Sequence, residues 1–432
     1  MAKHLIVMSV DAMFYEDLAY LKSKPYFSRL FEQGSRVERV RTIYPSLTHP
    51  VHATILTGCY PDRTGIRNNV RFAPGGEEVW YNDLRDILVP TIFHAAKEKG
   101  LTTCACRWPV TAGMDDAIDY LVPEVIDEVP GEGPDGPFRR LGTKEELLQE
   151  VVMPIVLKQD PNAPRHPAYD TLEIECAAEI IRRYQPNLLF THPGHLDSAR
   201  HSNGLFNDKV NEALDLAEEY LGMLMRAAED AGIYDDTDFV VLSDHGHLEI
   251  KRVMSPNVLL ADAGFIRVGE NGELLSWDAF IQSAGLSAQV VLSNPNDEDL
   301  KKRVYDYLMQ LCREGIYGIS RVYTAEEAQA EYRLAGDFSF VLESDGFSSF
   351  GEEWVRPIVR PINVNDYRYG HSTHGHAPEL GPQPPFLCMG PDFKAGVVIP
   401  EGKVVDEAPT LARAMGLEMP GIDGTCMDAL LR

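Results

Sequence analysis

Asp238-Phe239-Val240-Val241-Leu242-Ser243-Asp244-His245-Gly246-His247 joins a short apolar run to a carboxylate and two imidazoles. An apolar run without polar alternation reads as an interior strand of a parallel sheet, buried on both faces. The polar cluster that follows lies where ligands gather in open α/β sheets, outside the carboxyl ends of the strands. Gly246 allows a tight turn between the two histidines.

The same grammar repeats outward from this stretch. Leu5–Val10 is apolar and runs into Asp11; Asn187–Phe190 precedes His192, His195, Asp197 and His201. Phe386–Met389, and less clearly Thr102–Arg107, read as further buried parallel strands. Helical patterns fall between them at 16–33, 49–57 closed by Gly58, 91–99 closed by Gly100, 171–184, 206–231 and 406–415. Such alternation predicts an α/β fold with a mostly parallel sheet flanked by helices. Two segments break the rhythm. Residues 122–167, rich in Pro, Gly and acidic side chains, read as a long surface excursion. Residues 250–370 carry their own helix near 297–314 and a strand at Phe338–Leu342, and read as an inserted smaller α+β cap. The core is then 1–249 with 371–432.

Composition narrows the function. Of 432 residues, 66 are acidic and 40 basic, a formal charge of −26. So negative a surface excludes a broad basic footprint for nucleic acid or anionic membrane. An anionic substrate would have to be drawn in locally, for instance by metal ions. The seven cysteines (59, 104, 106, 176, 312, 388, 426) form no CxxC pair and are odd in number, which fits a reducing compartment. The N-terminal apolar run is too short for a signal peptide and nothing later reaches membrane-span length, so the expectation is a cytoplasmic protein.

Eight of the 13 histidines fall in three clusters, 192/195/201, 245/247 and 371/374/376, so the chemistry is concentrated. Asp197 and His201 are four apart and share a helix face. Mixed imidazole and carboxylate donors suit zinc better than calcium. Each pair alone also suits a helix cap or a satisfied surface imidazole; three groups at three strand ends together point to a metal site. Tyr44-Pro45-Ser46-Leu47-Thr48-His49-Pro50-Val51-His52 leads into an apolar helix, and Thr48 stands at its start. Free backbone N–H groups there favour an anion. Thr48 is either an N-cap or a nucleophile activated by a metal.

Taken in order, Asp11, Thr48, Gly58, Asn69, Asp197, His201, Asp244, His245 and His374 resemble the nucleotide pyrophosphatase/phosphodiesterases of the alkaline phosphatase superfamily. Thr48-His49-Pro50-Val51-His52, Leu56-Thr57-Gly58, Tyr60-Pro61, Gly65-Ile66 and Asn68-Asn69 match that family's nucleophile segment without a gap. The resemblance implies an alkaline phosphatase-like core and two Zn2+ ions, or other divalent metals. It places Asp11, Thr48, Asp244 and His245 around one ion and Asp197, His201 and His374 around the other. Thr48 would form a phospho-threonine intermediate, Asn69 would hydrogen-bond a phosphoryl oxygen, and the substrate would be a small phosphodiester or nucleotide pyrophosphate. Neither nucleic acid nor membrane is expected as a partner. The alternatives are a phosphomonoesterase or phosphonoacetate hydrolase-like C–P hydrolase on the same centre, and a non-catalytic metal-binding module. A monoesterase needs a basic residue for the extra charge; Arg67, Arg71 and Arg107 are the candidates. Trp80, Tyr81 and Phe72 could stack on an aromatic group. His192, His195 and His376 depart from the family pattern or add imidazoles near the metals, as supporting groups or substrate contacts.

Overall fold

The computed structural model describes residues 2–127, 129–160 and 162–432. Its main sheet contains β1 (His4–Ser9), β2 (Ser35–Arg41), β3 (Thr103–Cys106), β4 (Tyr120–Val122), β5 (Leu188–Thr191) and β6 (Thr237–Leu242). Four strands, β7 (Ala279–Ala284), β8 (Ser287–Leu292), β9 (Ile319–Thr324) and β10 (Phe340–Ser344), form a separate antiparallel sheet. The chain then returns to the main sheet with β11 (Phe386–Met389) and β12 (Val398–Lys403). The spatial order is β12-β2-β11-β6-β1-β5-β3-β4.

β1 lies between β5 and β6, parallel to both, with Val7 opposite Phe190 and Val240. Every residue of these three strands is buried. Alternate side chains serve opposite faces, as strand geometry requires. Ile6 and Met8 pack with helices Pro25–Gln33, Arg165–Tyr184 and Asp208–Asp230, whereas Leu5 and Val7 pack with helices Thr48–Thr57, Ile92–Glu98 and Glu407–Ala414. The sheet is therefore covered on both sides, which is why the sequence shows apolar runs and not alternation. Gly58 closes its helix at φ 65°.

Several expectations need correction. β11 is antiparallel to both β6 and β2. It enters from the carboxyl edge, straight out of the histidine segment that precedes it, with no crossover helix to turn it round. β2 reads Ser-Arg-Val-Glu-Arg-Val-Arg; its charges hid a strand that buries only Val37 and Val40 fully beside Ser35. The helix expected over 16–33 is broken into Tyr15–Asp17, Leu18–Leu21 and Pro25–Gln33. Pro25 cannot sit inside a helix but suits a first turn, and Glu218 accepts the free Tyr26 and Phe27 N–H groups there. Residues 122–167 are more than an excursion: Leu147, Leu148, Val151 and Val152 enter the main core. Glu128 and Pro161 of that stretch lie outside the described residues.

The β7–β10 sheet packs its own apolar cluster against helix Glu298–Glu314. Its β7–β8 turn touches the main body at one informative point. Gly285 has φ +74°, and a Cβ there would meet the His374 carbonyl oxygen at 2.5 Å. Leu286 N donates to that oxygen and Ser287 Oγ to the Gly375 oxygen, which pins the last histidine segment. On the same sheet, burial raises the Glu343 carboxyl to about 8 despite the Tyr44 hydroxyl beside it. A group that holds its proton more tightly folded than unfolded contributes stability at low pH, lost as pH rises through about 8. Wild-type protein should therefore melt lower at about pH 9 than at about pH 5, and Glu343→Gln should flatten part of that slope in a calorimetric pH series.

All seven cysteines are free thiols. Among the described residues, no helix is long and apolar enough to cross a membrane.

Candidate active site

The carboxyl ends of the adjacent strands β5 and β1 open onto one cleft of about 220 Å³, and the segment after β6 contributes donors to both groups beside it. Asp11 follows β1, Asp244 and His245 follow β6, and helix His195–Asn203, carrying Asp197 and His201, follows β5. His374 arrives differently. Ser372–Thr373 pairs antiparallel with Leu248–Glu249, clamping the histidine segments at 245–247 and 371–376 together.

Asp197, His201, His247 and His374 offer ligand atoms within 4.8 Å of one another, as do Asp11, Asp244 and His245; a third set, His52, His192 and Asp244, shares Asp244 with the second, which leaves two donor groups with no residue in common. The His245 and His374 rings stack at 4.0 Å, so the groups adjoin. Thr48 Oγ1 lies 3.2 Å from His245 Nε2, on the second group. Thr48 is the first helical residue and its side chain caps nothing; Leu47 occupies the cap position. The N-cap role is thereby excluded. Asn69 Oδ1 accepts from His49 N–H at 3.0 Å, which leaves its amide nitrogen as the donor for the cleft. Asp11, Thr48, Asn69, Asp197, His201, Asp244, His245 and His374 thus all lie on this cleft or in its two donor groups.

The bonding chemistry asks for cations. Three carboxylates, Asp11, Asp197 and Asp244, crowd a buried space. Burial pushes Asp11 well above its ordinary value, and Asp244 and Asp197 push it further. Burial also opposes ionisation of Asp197, whose Oδ1 lies 3.1 Å from His201 Nε2 and 2.7 Å from His247 Nε2. Asp11 Oδ1, Asp244 Oδ2 and His201 Nε2 are buried without hydrogen-bond partners. His201 donates from Nδ1 to the Ser372 carbonyl at 2.7 Å, so its orphaned Nε2 carries the lone pair.

His247 gives the sharpest sign. Ser372 Oγ spends its proton on the Arg200 carbonyl at 2.8 Å, so it must accept from His247 Nδ1 at 3.0 Å. Burial lowers His247 to about 3, which keeps the ring neutral. Its Nε2 lone pair then faces Asp197 Oδ1 at 2.7 Å. Two acceptors at that distance repel unless they share a cation. These donors fit zinc, with nitrogen and oxygen ligands and buried carboxylates.

His247 was visible in the sequence as a cluster member but not as a ligand; only the Ser372 contact fixes its ring. His52, by contrast, is fully used: Nδ1 donates to the Thr48 carbonyl at 2.7 Å and Nε2 accepts from Ser9 Oγ at 2.9 Å. It steadies the start of the helix that opens with Thr48. His192 sits with Nε2 3.3 Å from Asp11 Oδ2, lowered to about 4 by burial. His376 bonds the Ala377 carbonyl and packs on Gly381, outside both donor groups. His195 is half-buried and does not line the cleft.

Among the aromatic residues, Trp80 lines the cleft, joined by Tyr367, which no local signal marked. Their rings are 5.9 Å apart, and Tyr367 lies parallel to His374. Phe72 instead packs on Trp277 and Phe280, and Tyr81 lies under Arg71. Glu124, also unmarked in the sequence, lines the cleft 3.6 Å from His49. Of the three arginines, only Arg107 lines it.

The chain is 26% identical over 252 residues to human ectonucleotide pyrophosphatase/phosphodiesterase family member 1, covering 56% of this chain and 24% of that protein. It is 24% identical over 255 residues to venom phosphodiesterase of Naja atra, covering 56% and 26%. The chain therefore spans about a quarter of the length of these curated relatives. Murine ectonucleotide pyrophosphatase / phosphodiesterase 5 has the same fold, with TM-score 0.67 at 18% identity over 100% of both chains. The human form superposes with TM-score 0.69 at 17% identity, again over 100% of each. An inactive form of the murine protein is known in complex with AMP. The family profile for type I phosphodiesterase / nucleotide pyrophosphatase matches residues 5–376. Since that match opens in β1 and ends just beyond His374, taking in both donor groups and Thr48, the chain belongs to the type I phosphodiesterase / nucleotide pyrophosphatase family.

Proposed function

We propose that this protein hydrolyses phosphodiester or nucleotide pyrophosphate bonds in small molecules, with zinc at both donor groups and Thr48 as the nucleophile. The observation that carries the reading is Thr48 Oγ1 beside His245 Nε2, on the first residue of its helix and lining the cleft with Asp11, Asp197 and His374. Asp11, Asp244 and His245 would hold one ion; Asp197, His201, His374 and, in addition, His247 would hold the other. Bound zinc would supply Lewis acidity, favouring the ionised hydroxyl and offsetting negative charge on the phosphoryl group. Thr48 Oγ1 then bonds to phosphorus in line with the departing oxygen, giving a phospho-threonine ester that water later cleaves. Asn69 donates its amide N–H to a non-bridging oxygen, where charge grows in the transition state. Trp80 and Tyr367 offer a stacking surface for a nucleotide base.

A diester fits better than a monoester. Arg107 is committed to Glu173 at 3.2 Å and to Asp170 at 3.8 Å. Arg71 pairs with Asp86, and Arg67 with Asp337 and Gln289. None of these three is left free for a second phosphate charge, and Arg165, the other arginine on the cleft, donates to the Val125 carbonyl and lies over the Tyr169 ring. Residues 1–249 and 371–432 would be the catalytic body, 250–370 the cap that braces His374, and the unpaired thiols suit a reducing cytoplasm.

The test is turnover of zinc-loaded protein on bis-p-nitrophenyl phosphate against p-nitrophenyl phosphate under identical conditions. We expect a strong diester preference. A monoester preference would overturn the diester reading, and no turnover of any phosphate ester would favour a non-catalytic metal module.

A further inference from the structure

Glu124 stands in the cleft without a task in the scheme above. It follows β4 by two residues, just beyond Pro123, which ends the strand. β4 runs parallel to β3, and β3 to β5, so the carboxyl end of β4 opens on the same side of the sheet as those of β5 and β1. The backbone is held from two directions. Asn82 Nδ2 donates to the Glu124 carbonyl at 3.1 Å, and Arg165 donates to the Val125 carbonyl at 2.7 Å.

The side chain faces His49, the residue after Thr48. His49 is buried, and among the described residues neither of its ring nitrogens has a hydrogen-bond partner. Glu124 Oε2 is likewise buried without one, 3.6 Å from His49 Nε2, too far for a hydrogen bond between the two. Buried polar atoms are costly to leave unpaired, so this wall of the cleft is built to receive hydrogen-bonding groups. Trp80 lies against His49, ring centroids 5.0 Å apart. An indole beside a carboxylate favours a cation.

Charge points the same way. Glu124 belongs to neither donor group, so a metal there would be matched to other carboxylates. The arginines of the cleft are committed elsewhere: Arg107 to Glu173 and Asp170, Arg165 to the Val125 carbonyl and the Tyr169 ring. A phosphodiester brings its own negative charge into the same small cleft, and Glu124 opposes it unless the substrate carries a positive charge as well.

Resting on the diesterase reading above, we propose that Glu124 and His49 select a zwitterionic phosphodiester whose retained arm ends in a primary ammonium. His49 adjoins Thr48, on the attacking side of phosphorus. An in-line leaving oxygen departs on the far side, so the arm that meets this pair is the one that stays on phosphorus. The open atoms also decide which cation fits. A primary ammonium has several N–H donors and can reach Glu124 Oε2 and the unprotonated His49 nitrogen together, at about 2.9 Å from each. A hydroxyl has one proton and satisfies one of them. A trimethylammonium can rest on Trp80 but has no N–H, so both stay unpaired.

The experiment compares kcat/KM of zinc-loaded wild type, Glu124→Gln and His49→Phe on p-nitrophenyl diesters. Their retained arm is 2-aminoethyl, n-propyl, 2-(trimethylammonio)ethyl or thymidine 5′-yl. We expect wild type to favour aminoethyl over propyl by about 50-fold, and over the trimethylammonium arm by about tenfold. Glu124→Gln should bring the aminoethyl-to-propyl ratio to within about threefold of unity, and His49→Phe should lower it by a smaller factor. Zinc content and melting curves check each variant; should Glu124→Gln fail to fold, Glu124→Asp, which withdraws the carboxylate by one methylene, reads the same ratio. Propyl turned over as well as aminoethyl, a preference for the trimethylammonium or thymidine arm, or a ratio unchanged in the Glu124 variant would overturn the assignment while leaving the diesterase reading intact. Wild-type protein inert on every arm would overturn that reading and this assignment with it.

Discussion

Thr48→Ala should lose phosphodiester turnover by roughly 10⁴-fold or more, because it removes the attacking oxygen itself, the Oγ1 that lies 3.2 Å from His245 Nε2. The effect should be confined to chemistry. Thr48 makes no capping bond, its helix is held by apolar packing of Val51, Ile55 and Leu56, and Gly58 closes the far end. The variant should therefore melt within a degree or two of wild type and retain both zinc ions. The measurement pairs single-turnover kinetics with metal analysis on the same sample. Near-normal turnover would remove Thr48 as nucleophile, and loss of zinc alongside activity would recast it as chiefly a ligand.

Chelation of zinc is the second large effect. It should abolish turnover and lower the melting temperature by several degrees, since a ligand at a hundred times its dissociation constant contributes about 2.7 kcal/mol per site. Here the contribution has a clear source: Asp11 and Asp244 share one donor set, Asp197 belongs to the other, and among the described residues Asp11 Oδ1, Asp244 Oδ2 and His201 Nε2 have no hydrogen-bond partner. Adding zinc back should restore both properties. His374→Ala and His247→Ala should each reduce bound zinc from about two to about one per chain, because each removes a donor from the Asp197 group alone. For His247 that outcome separates a ligand from an imidazole that merely bonds Asp197. Two ions at full occupancy in His247→Ala would falsify its place in the shell.

How much of this was legible beforehand depends on distance along the chain. β1, β5 and β6 were readable because strands covered on both faces have no alternation to hide behind, and Asp11 and Asp244–His245 follow them directly. β2 was not, since a strand with five charged or hydroxyl-bearing residues out of seven carries little local hydrophobic signal. The reversed direction of β11 depends on which edge of the sheet the chain returns from, and four apolar residues cannot record that. Trp80 and Phe72 looked equivalent in sequence, eight residues apart, yet one lines the cleft and the other packs under the second sheet.

By itself the sequence determined the α/β class, the central strands and the polar set Asp11, Thr48, Asn69, Asp197, His201, Asp244, His245 and His374, whereas Tyr367 and Glu124 of the cleft carried no local signal. Those properties are set by local apolar patterning and by motifs that carry their own chemistry. Tertiary structure alone decided the state of each polar atom. Ser372, delivered by a two-residue strand, fixes the tautomers of His201 and His247. Gly285 lets a turn from the second sheet grip the His374 backbone. Ligand and bystander are the same imidazole until a partner far away in the chain uses one of its two nitrogens.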